Sequence, residues 1–168
     1  MVPVREIEFR LRLWKRRDSA TVVTEWPSDL IQPISQISTI RHCLAHWRDG
    51  IPWEDTGIYE QMLASIESSG RVDGLSTREE LETRYHNLDN LYEQVVAAGG
   101  FLPRDEVIPG NFREEGGIMI HIGPDGAPYF GGGGNHRLAM AIAAGFETLP
   151  AQLGVVHQQG LTALGRFR

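Results

Sequence analysis

Cysteine occurs once in the 168 residues, at Cys43, and lysine once, at Lys15. A single thiol excludes an internal disulfide and is compatible with a reducing compartment. With one lysine among 16 cationic side chains, positive charge is carried by arginine, whose planar fork suits bidentate contacts to phosphate or carboxylate. Positive charge as a whole is in deficit. A net charge of −6 and a pI near 5.5 argue against non-specific binding of DNA or of an anionic membrane. No apolar run approaches the length of a transmembrane helix, and the N-terminus lacks the apolar core of a signal peptide. These absences predict a cytoplasmic protein with no membrane attachment. An apolar fraction of 41% over 168 residues suffices for one domain, residues 1–168, with a proper core.

What the chain does have is glycine in an unusual place. Tyr129-Phe130-Gly131-Gly132-Gly133-Gly134-Asn135-His136-Arg137 runs from an apolar strand pattern straight into the helix pattern Leu138-Ala139-Met140-Ala141-Ile142. Each glycine in regular structure costs roughly 0.5–1 kcal/mol relative to alanine, so four in succession ask for a reason. Bare backbone at a helix start lets an anion approach free N–H groups. Asn135 reads as the N-cap, which puts His136 and Arg137 in the first turn, where the helix dipole disfavours positive charge. A bound phosphate would reverse that penalty. The competing reading is a flexible linker followed by an ordinary helix.

Around this stretch the pattern predicts mixed secondary structure. Ile7, Phe9, Leu11 and Leu13 alternate with Glu8, Arg10 and Arg12, as in a half-buried strand, and the Lys15-Arg16-Arg17 cluster after it reads as a solvated turn. Thr21-Val22-Val23-Thr24 is a second short strand. Residues 37–47 read as a helix, followed by a loop and a helix carrying Tyr59, Met62, Leu63 and Ile66, with Asp55 or Thr56 as its cap. Ser76 and Glu79 have capping-box spacing ahead of a helix over 77–98, continuous or broken near Asn87. Residues 101–117 read as a loop, and Ile118-Met119-Ile120-His121-Ile122 as a strand turning through Gly123-Pro124-Asp125-Gly126 into Ala127-Pro128-Tyr129-Phe130. The helix after the glycines stops at Gly145, a final strand covers 149–156, and 158–168 is a tail.

His42 and His46 lie four apart, on one helix face, but no third ligand is near in sequence, so no metal site is read there. His121 reads as structural. Trp14, Trp26, Trp47 and Trp53 read as core or pocket wall, with Trp53 beside Glu54-Asp55 as a possible lining of an acceptor site.

Two common phosphate fingerprints fail on the glycine run. A P-loop needs Lys then Ser or Thr after its last glycine, and Gly134 is followed by Asn135-His136. The dinucleotide pattern needs a glycine where His136 stands. The C-terminal half instead resembles the ParB/sulfiredoxin superfamily. The resemblance rests on Ile118-Met119-Ile120-His121-Ile122, the Asp125-Gly126 turn, Tyr129-Phe130, Gly133-Gly134-Asn135-His136-Arg137 with its Ala-rich helix, and Leu149-Pro150-Ala151-Gln152-Leu153. Sulfiredoxins carry Gly-Gly-Cys-His-Arg at this loop, so Asn135 stands where their nucleophilic cysteine would be. Upstream, Leu88-Asp89-Asn90-Leu91-Tyr92-Glu93-Gln94-Val95 is similar to the helix that sulfiredoxins use on the nucleotide, with Tyr92 in place of their lysine.

The resemblance implies an α+β fold of ParB/sulfiredoxin type: a small mixed sheet packed with helices, and a nucleotide loop at a helix N-terminus. It implies a core over 81–157 with 1–80 as an N-terminal extension. Sulfinic-acid reduction is excluded by Asn135. The partition role of ParB is not expected, because only about 30 residues follow the motif helix, well short of a further domain. The expectation is therefore a nucleotide-binding, ATP- or ADP-dependent kinase that transfers phosphate to a small hydroxyl-bearing acceptor, with Mg²⁺ implied by the chemistry. Gly133, Gly134 and Asn135 would donate to the phosphates, His136 and Arg137 would neutralise charge, and Asp89 is the first candidate base. Glu93, Glu54, Asp55, Glu114 and Glu115 are alternative bases. The rival readings are a non-catalytic nucleotide-binding module that signals to a protein partner, and a ParB-like nuclease. The acidic chain counts against the nuclease and against nucleic acid as a partner.

Overall fold

The hairpin that delivers the glycine run is the centre of the sheet. A computed structural model describes residues 1–111 and 113–167. Strand β5 (Ile118–Ile122) is buried at every position, and β6 (Pro128–Gly132) returns antiparallel to it. The turn is locally encoded: Gly126 takes φ 76°, and Asp125 accepts hydrogen bonds from the Ala127 N–H (3.0 Å) and the Tyr129 hydroxyl (3.1 Å).

In chain order the elements are β1 (Val2–Pro3), β2 (Phe9–Leu11), β3 (Val22–Val23), β4 (Ile31–Pro33), α1 (Ser38–Trp47), α2 (Trp53–Thr56), α3 (Ile58–Ser69), α4 (Arg78–Ala98), α5 (Arg104–Val107), β5, β6, α6 (Asn135–Ala143), β7 (Thr148–Leu149) and β8 (Ala151–His157). A 3-10 helix, Gln158–Phe167, occupies the tail. The six-stranded sheet has the order β3-β8-β5-β6-β2-β4, while β1 and β7 pair separately. β8 is parallel to β5 and β3, β2 is parallel to β6, and β5/β6 and β2/β4 are antiparallel. The fold is mixed α+β. Among the described residues no helix is long and apolar enough to cross a membrane.

Ile118, Ile120, Ile122, Phe130 and Val156 present one sheet face to Leu138, Ala139 and Ala141 of α6 and Ile40 and Cys43 of α1. Trp53, Ile58, Tyr59, Leu81 and Tyr85 extend this core through α2, α3 and α4. The opposite face carries His121, covered edge-on by Trp14 at 5.3 Å between ring centroids, with Trp26 packed on Trp14 and Tyr129. The first 80 residues thus supply three strands of the sheet and the helix that packs on α6.

Several local expectations shift. The 7–13 strand contracts to β2, with Phe9 and Leu13 exposed, because β2 pairs with its neighbours over only two or three residues. Thr77 and Glu80, not Ser76 and Glu79, form the capping box of α4. Thr77 Oγ1 accepts from Glu80 N–H (3.2 Å), and the Glu80 carboxylate accepts from the N–H of Ser76 (2.7 Å) and Thr77 (3.1 Å). α4 is unbroken at Asn87. The 101–117 loop holds the single helical turn α5, and Phe112 within it lies outside the described residues, as does Arg168 of the tail.

Candidate functional site around the glycine run

Three consecutive glycines explain why the loop needs them. Gly132, Gly133 and Gly134 have φ of 104°, 72° and 74°, a run of left-handed backbone that β-carbons oppose. Gly134, not Asn135, is therefore the N-cap of α6, and Asn135 is its first helical residue. The first helical hydrogen bond runs from Leu138 N–H to Gly134 C=O (3.0 Å). The N–H groups of Asn135, His136 and Arg137 precede it and are the orphan donors of the helix start.

Arg137 and His136 part company here. Arg137 reaches into a cavity of about 390 Å³ lined by Leu91, Gln94 and Val95 of α4, Phe101, Arg104 and Ile118. Burial lowers the Arg137 pKa, and the neighbouring Arg104 lowers it further, while Glu114 opposes both. Arg104 is held by its own backbone N–H donating to Glu114 Oε1 (2.6 Å) and by Nη2 donating to Gly116 C=O (3.1 Å). His136 does not line this cavity. Its ring packs on Tyr85 at 5.8 Å, its Nε2 is buried without a partner, and burial, aided by Arg84, pushes its pKa down to about 4. At neutral pH it is an uncharged packing residue and contributes no positive charge to the loop.

Asp89 sits elsewhere. Its carboxylate accepts from Trp47 Nε1 (2.9 Å) and Trp53 Nε1 (2.9 Å), with His46 Nε2 at 3.2 Å. The route from Asp89 to His136 passes through the rings of Trp53 and Tyr85, which pack 4.7 Å apart. Trp53, read as a possible acceptor wall, is a core residue that orients this carboxylate. His42 faces Gln61 Oε1 (3.3 Å), so the His42/His46 pair is turned to separate partners. Among the alternative bases, Glu114 is the one that lines the Arg137 cavity.

No family model, curated protein or solved structure matches the chain.

Two arginines that the sequence reading left as solvated or unassigned also reach the loop. The parallel register that sets Arg10 beside Phe130 carries Arg12 alongside Gly132, where its side chain lies 3.9 Å from the position a Cβ would occupy. Arg16 Nη2 is 2.8 Å from the Cβ position of Gly133, and its guanidinium donates to Gln152 Oε1 (2.7 Å) and Gly117 C=O (2.9 Å). The Lys15-Arg16-Arg17 cluster was the available signal for Arg16. Arg104 had none, since it lies far away in an irregular segment.

His121 lies beneath the start of the run. Val155 N–H donates to its Nδ1 (3.0 Å), so the neutral ring carries its proton on Nε2, which is buried without a partner. Burial pushes its pKa down to about 4 from 6.5. Below pH 6.5 the unfolded chain binds protons that folded His121 and His136 refuse. The stability both rings confer is therefore full above about pH 6.5 and lost as pH falls towards 4. For His121 alone the slope reaches about 1.4 kcal/mol per pH unit. Urea unfolding at pH 7, 5.5 and 4.5 checks this, and a flat profile contradicts it.

Proposed function

We propose that the chain binds a nucleoside phosphate at residues 133–137 and is an ATP- or ADP-dependent kinase of a small hydroxyl-bearing acceptor. The supporting observation is the single cavity that brings Arg137 and Arg104 together with Leu91, Gln94 and Val95 of α4. These are the two segments on which the resemblance to the ParB/sulfiredoxin superfamily rests. The donor set fits phosphate: three orphan N–H groups at a helix start, a guanidinium from the same helix and a second from Arg104. The apolar walls fit the base of a nucleotide.

A nucleoside triphosphate would supply the transferable phosphoryl group. The chain's own part is to position it: Gly133 and Gly134 let oxygens approach the backbone, the Asn135–Arg137 amides hold them, and Arg137 offsets their charge. Among the described residues no group of three or more His, Cys, Asp or Glu side chains is placed to hold a metal ion. Mg²⁺ would thus be held by phosphate oxygens and water, with Glu114 as the adjoining carboxylate. Glu114 is also better placed than Asp89 to accept the acceptor's proton.

A thermal-shift series with ATP, ADP, CTP and GTP, each with Mg²⁺, is expected to show stabilisation by at least one, about 2.7 kcal/mol at a hundred times its Kd. No shift with any of them ends the proposal. Arg137→Ala is expected to weaken that nucleotide about 30-fold, the equivalent of roughly 2 kcal/mol for a charge-assisted pair. Glu114→Gln should lower turnover more than affinity. The non-catalytic module is the second reading, favoured by the engagement of Asp89 with two indoles. Nucleotide binding without turnover across a broad alcohol panel would select it.

A further inference from the structure

Positive charge is concentrated beside the first part of the glycine run, at Gly132 and Gly133. Five of the chain's 16 cationic side chains, Arg10, Arg12, Lys15, Arg16 and Arg17, fall within eight residues of a protein with net charge −6. One acid, Asp18, follows them. Its carboxylate is taken up by the Lys15 backbone N–H (2.8 Å) and by Arg17 (3.8 Å). Arg10 donates to the neutral Gln32 side chain, and its pKa is lowered by burial and by Arg12. Arg16 donates to two neutral oxygens, those of Gln152 and Gly117. Among the described residues Arg12 has no hydrogen-bond or ion-pair partner, and it is exposed. Like charges are thus crowded beside the loop, and among the described residues no carboxylate lies within ion-pairing distance of Arg10, Arg12 or Arg16. That arrangement is unfavourable in the protein alone and favourable with an anion bound.

The position is as telling as the charge. The parallel β2/β6 pairing carries Arg12 to Gly132, and Arg16 is fixed over Gly133, two residues and one residue before the helix N-cap. We infer that Arg12 and Arg16 bind an anionic group on the acceptor, so that the acceptor is a hydroxyl compound bearing its own carboxylate or phosphate. This inference rests on the proposed transfer for its use of the word acceptor, but the anion site is testable without it. Arg137 and the helix start take one partner, and Arg12 and Arg16, which reach Gly132 and Gly133 just before the helix, take the other. The hydroxyl is then presented across glycines that leave no side chain in the way.

The experiment is calorimetric titration of the full chain with glycerol, glycerate and glycerol 3-phosphate, and separately with ADP and Mg²⁺. Either anion is expected to bind at least tenfold more tightly than glycerol. Preference for glycerate identifies a carboxylate acceptor, and preference for glycerol 3-phosphate a phosphorylated one. Arg12→Ala, an exposed change without lost hydrogen bonds, should weaken the anion about tenfold and leave ADP affinity within twofold. Arg137→Ala should show the reverse. Equal binding of glycerol and the anions, no anion binding up to 50 mM, or equal loss of ADP and anion in Arg12→Ala would each overturn the inference. Arg12-dependent anion binding in a chain that ignores every nucleotide would leave this site standing and remove the kinase reading instead.

Discussion

Asp89→Ala is expected to lower the free energy of unfolding by about 3–4 kcal/mol, and to do so with or without nucleotide. The carboxylate is the common acceptor for two indole N–H groups, Trp47 at 2.9 Å and Trp53 at 2.9 Å, and it faces His46 at 3.2 Å. Trp53 is buried and Trp47 is half-buried against the core, so the Trp53 N–H above all loses its acceptor in a closed site. An unsatisfied buried donor costs about 1–3 kcal/mol, and a hydrogen bond to a charged group contributes about 1.5–3 kcal/mol, so losing both indole bonds to the carboxylate accounts for the effect. The rings also hold one another: His46 stacks on Trp53 at 3.9 Å and Tyr92 on Trp47 at 5.1 Å. Asp89→Asn keeps one acceptor oxygen and should lose about half as much. Guanidinium unfolding with an unchanged m-value is the measurement. Full stability with lost turnover would instead return Asp89 to the role of base.

Gly154→Ala is expected to cost about 3 kcal/mol, at the upper end for overpacking. Its Cβ would lie 2.2 Å from His121 Nδ1, 2.7 Å from Cε1 and 3.1 Å from the Ile120 carbonyl oxygen. The ring already occupies the space that a side chain at Gly131 would need, its Nε2 lying 2.4 Å from that Cβ position, so it is fitted between two glycines. Moving it would also break the bond from Val155 N–H, which compensates a register irregularity where β5 meets β8. Combining Gly154→Ala with His121→Ala removes the clash, so the double variant should be markedly more stable than the sum of the two losses predicts. A double-mutant cycle reads that coupling, and simple additivity would refute the wedge.

These two residues also show how far local reading carries. Gly154 gave no sign of its role, because the ring it accommodates is 33 positions away and reaches it only through the parallel pairing of β5 with β8. The same holds for Arg12, which the alternation in residues 7–13 placed on the polar side of a strand. Its place beside Gly132 depends on β2 pairing with β6. Asp89 is the candidate base only through the resemblance of residues 88–95 to a nucleotide-contacting helix, and the indoles that hold its carboxylate come from α1 and α2. His136 and Arg137 are adjacent in the first turn of α6, and their fates diverge because successive helical positions point about 100° apart. One meets the ring of Tyr85, the other a largely apolar cavity that it shares with Arg104.

By itself the sequence determined the β5–β6 hairpin, the glycine run, the helix that follows it and the helical pattern of 77–98, though not its continuity at Asn87. Each depends on φ, capping or periodicity within a few neighbouring residues, and that stereochemistry travels with the chain. The tertiary structure alone decided which charges meet at the loop. Arg12 and Arg16, Arg104, and Arg137 come from three segments, and only the strand order and the placement of α5 bring them to the glycine run and to Gly116-Gly117 beside it. Burial then selected among the titratable groups, leaving His136 neutral and Arg137 at the cavity, because the cost of desolvating a charge is set by surroundings that no short stretch of sequence contains.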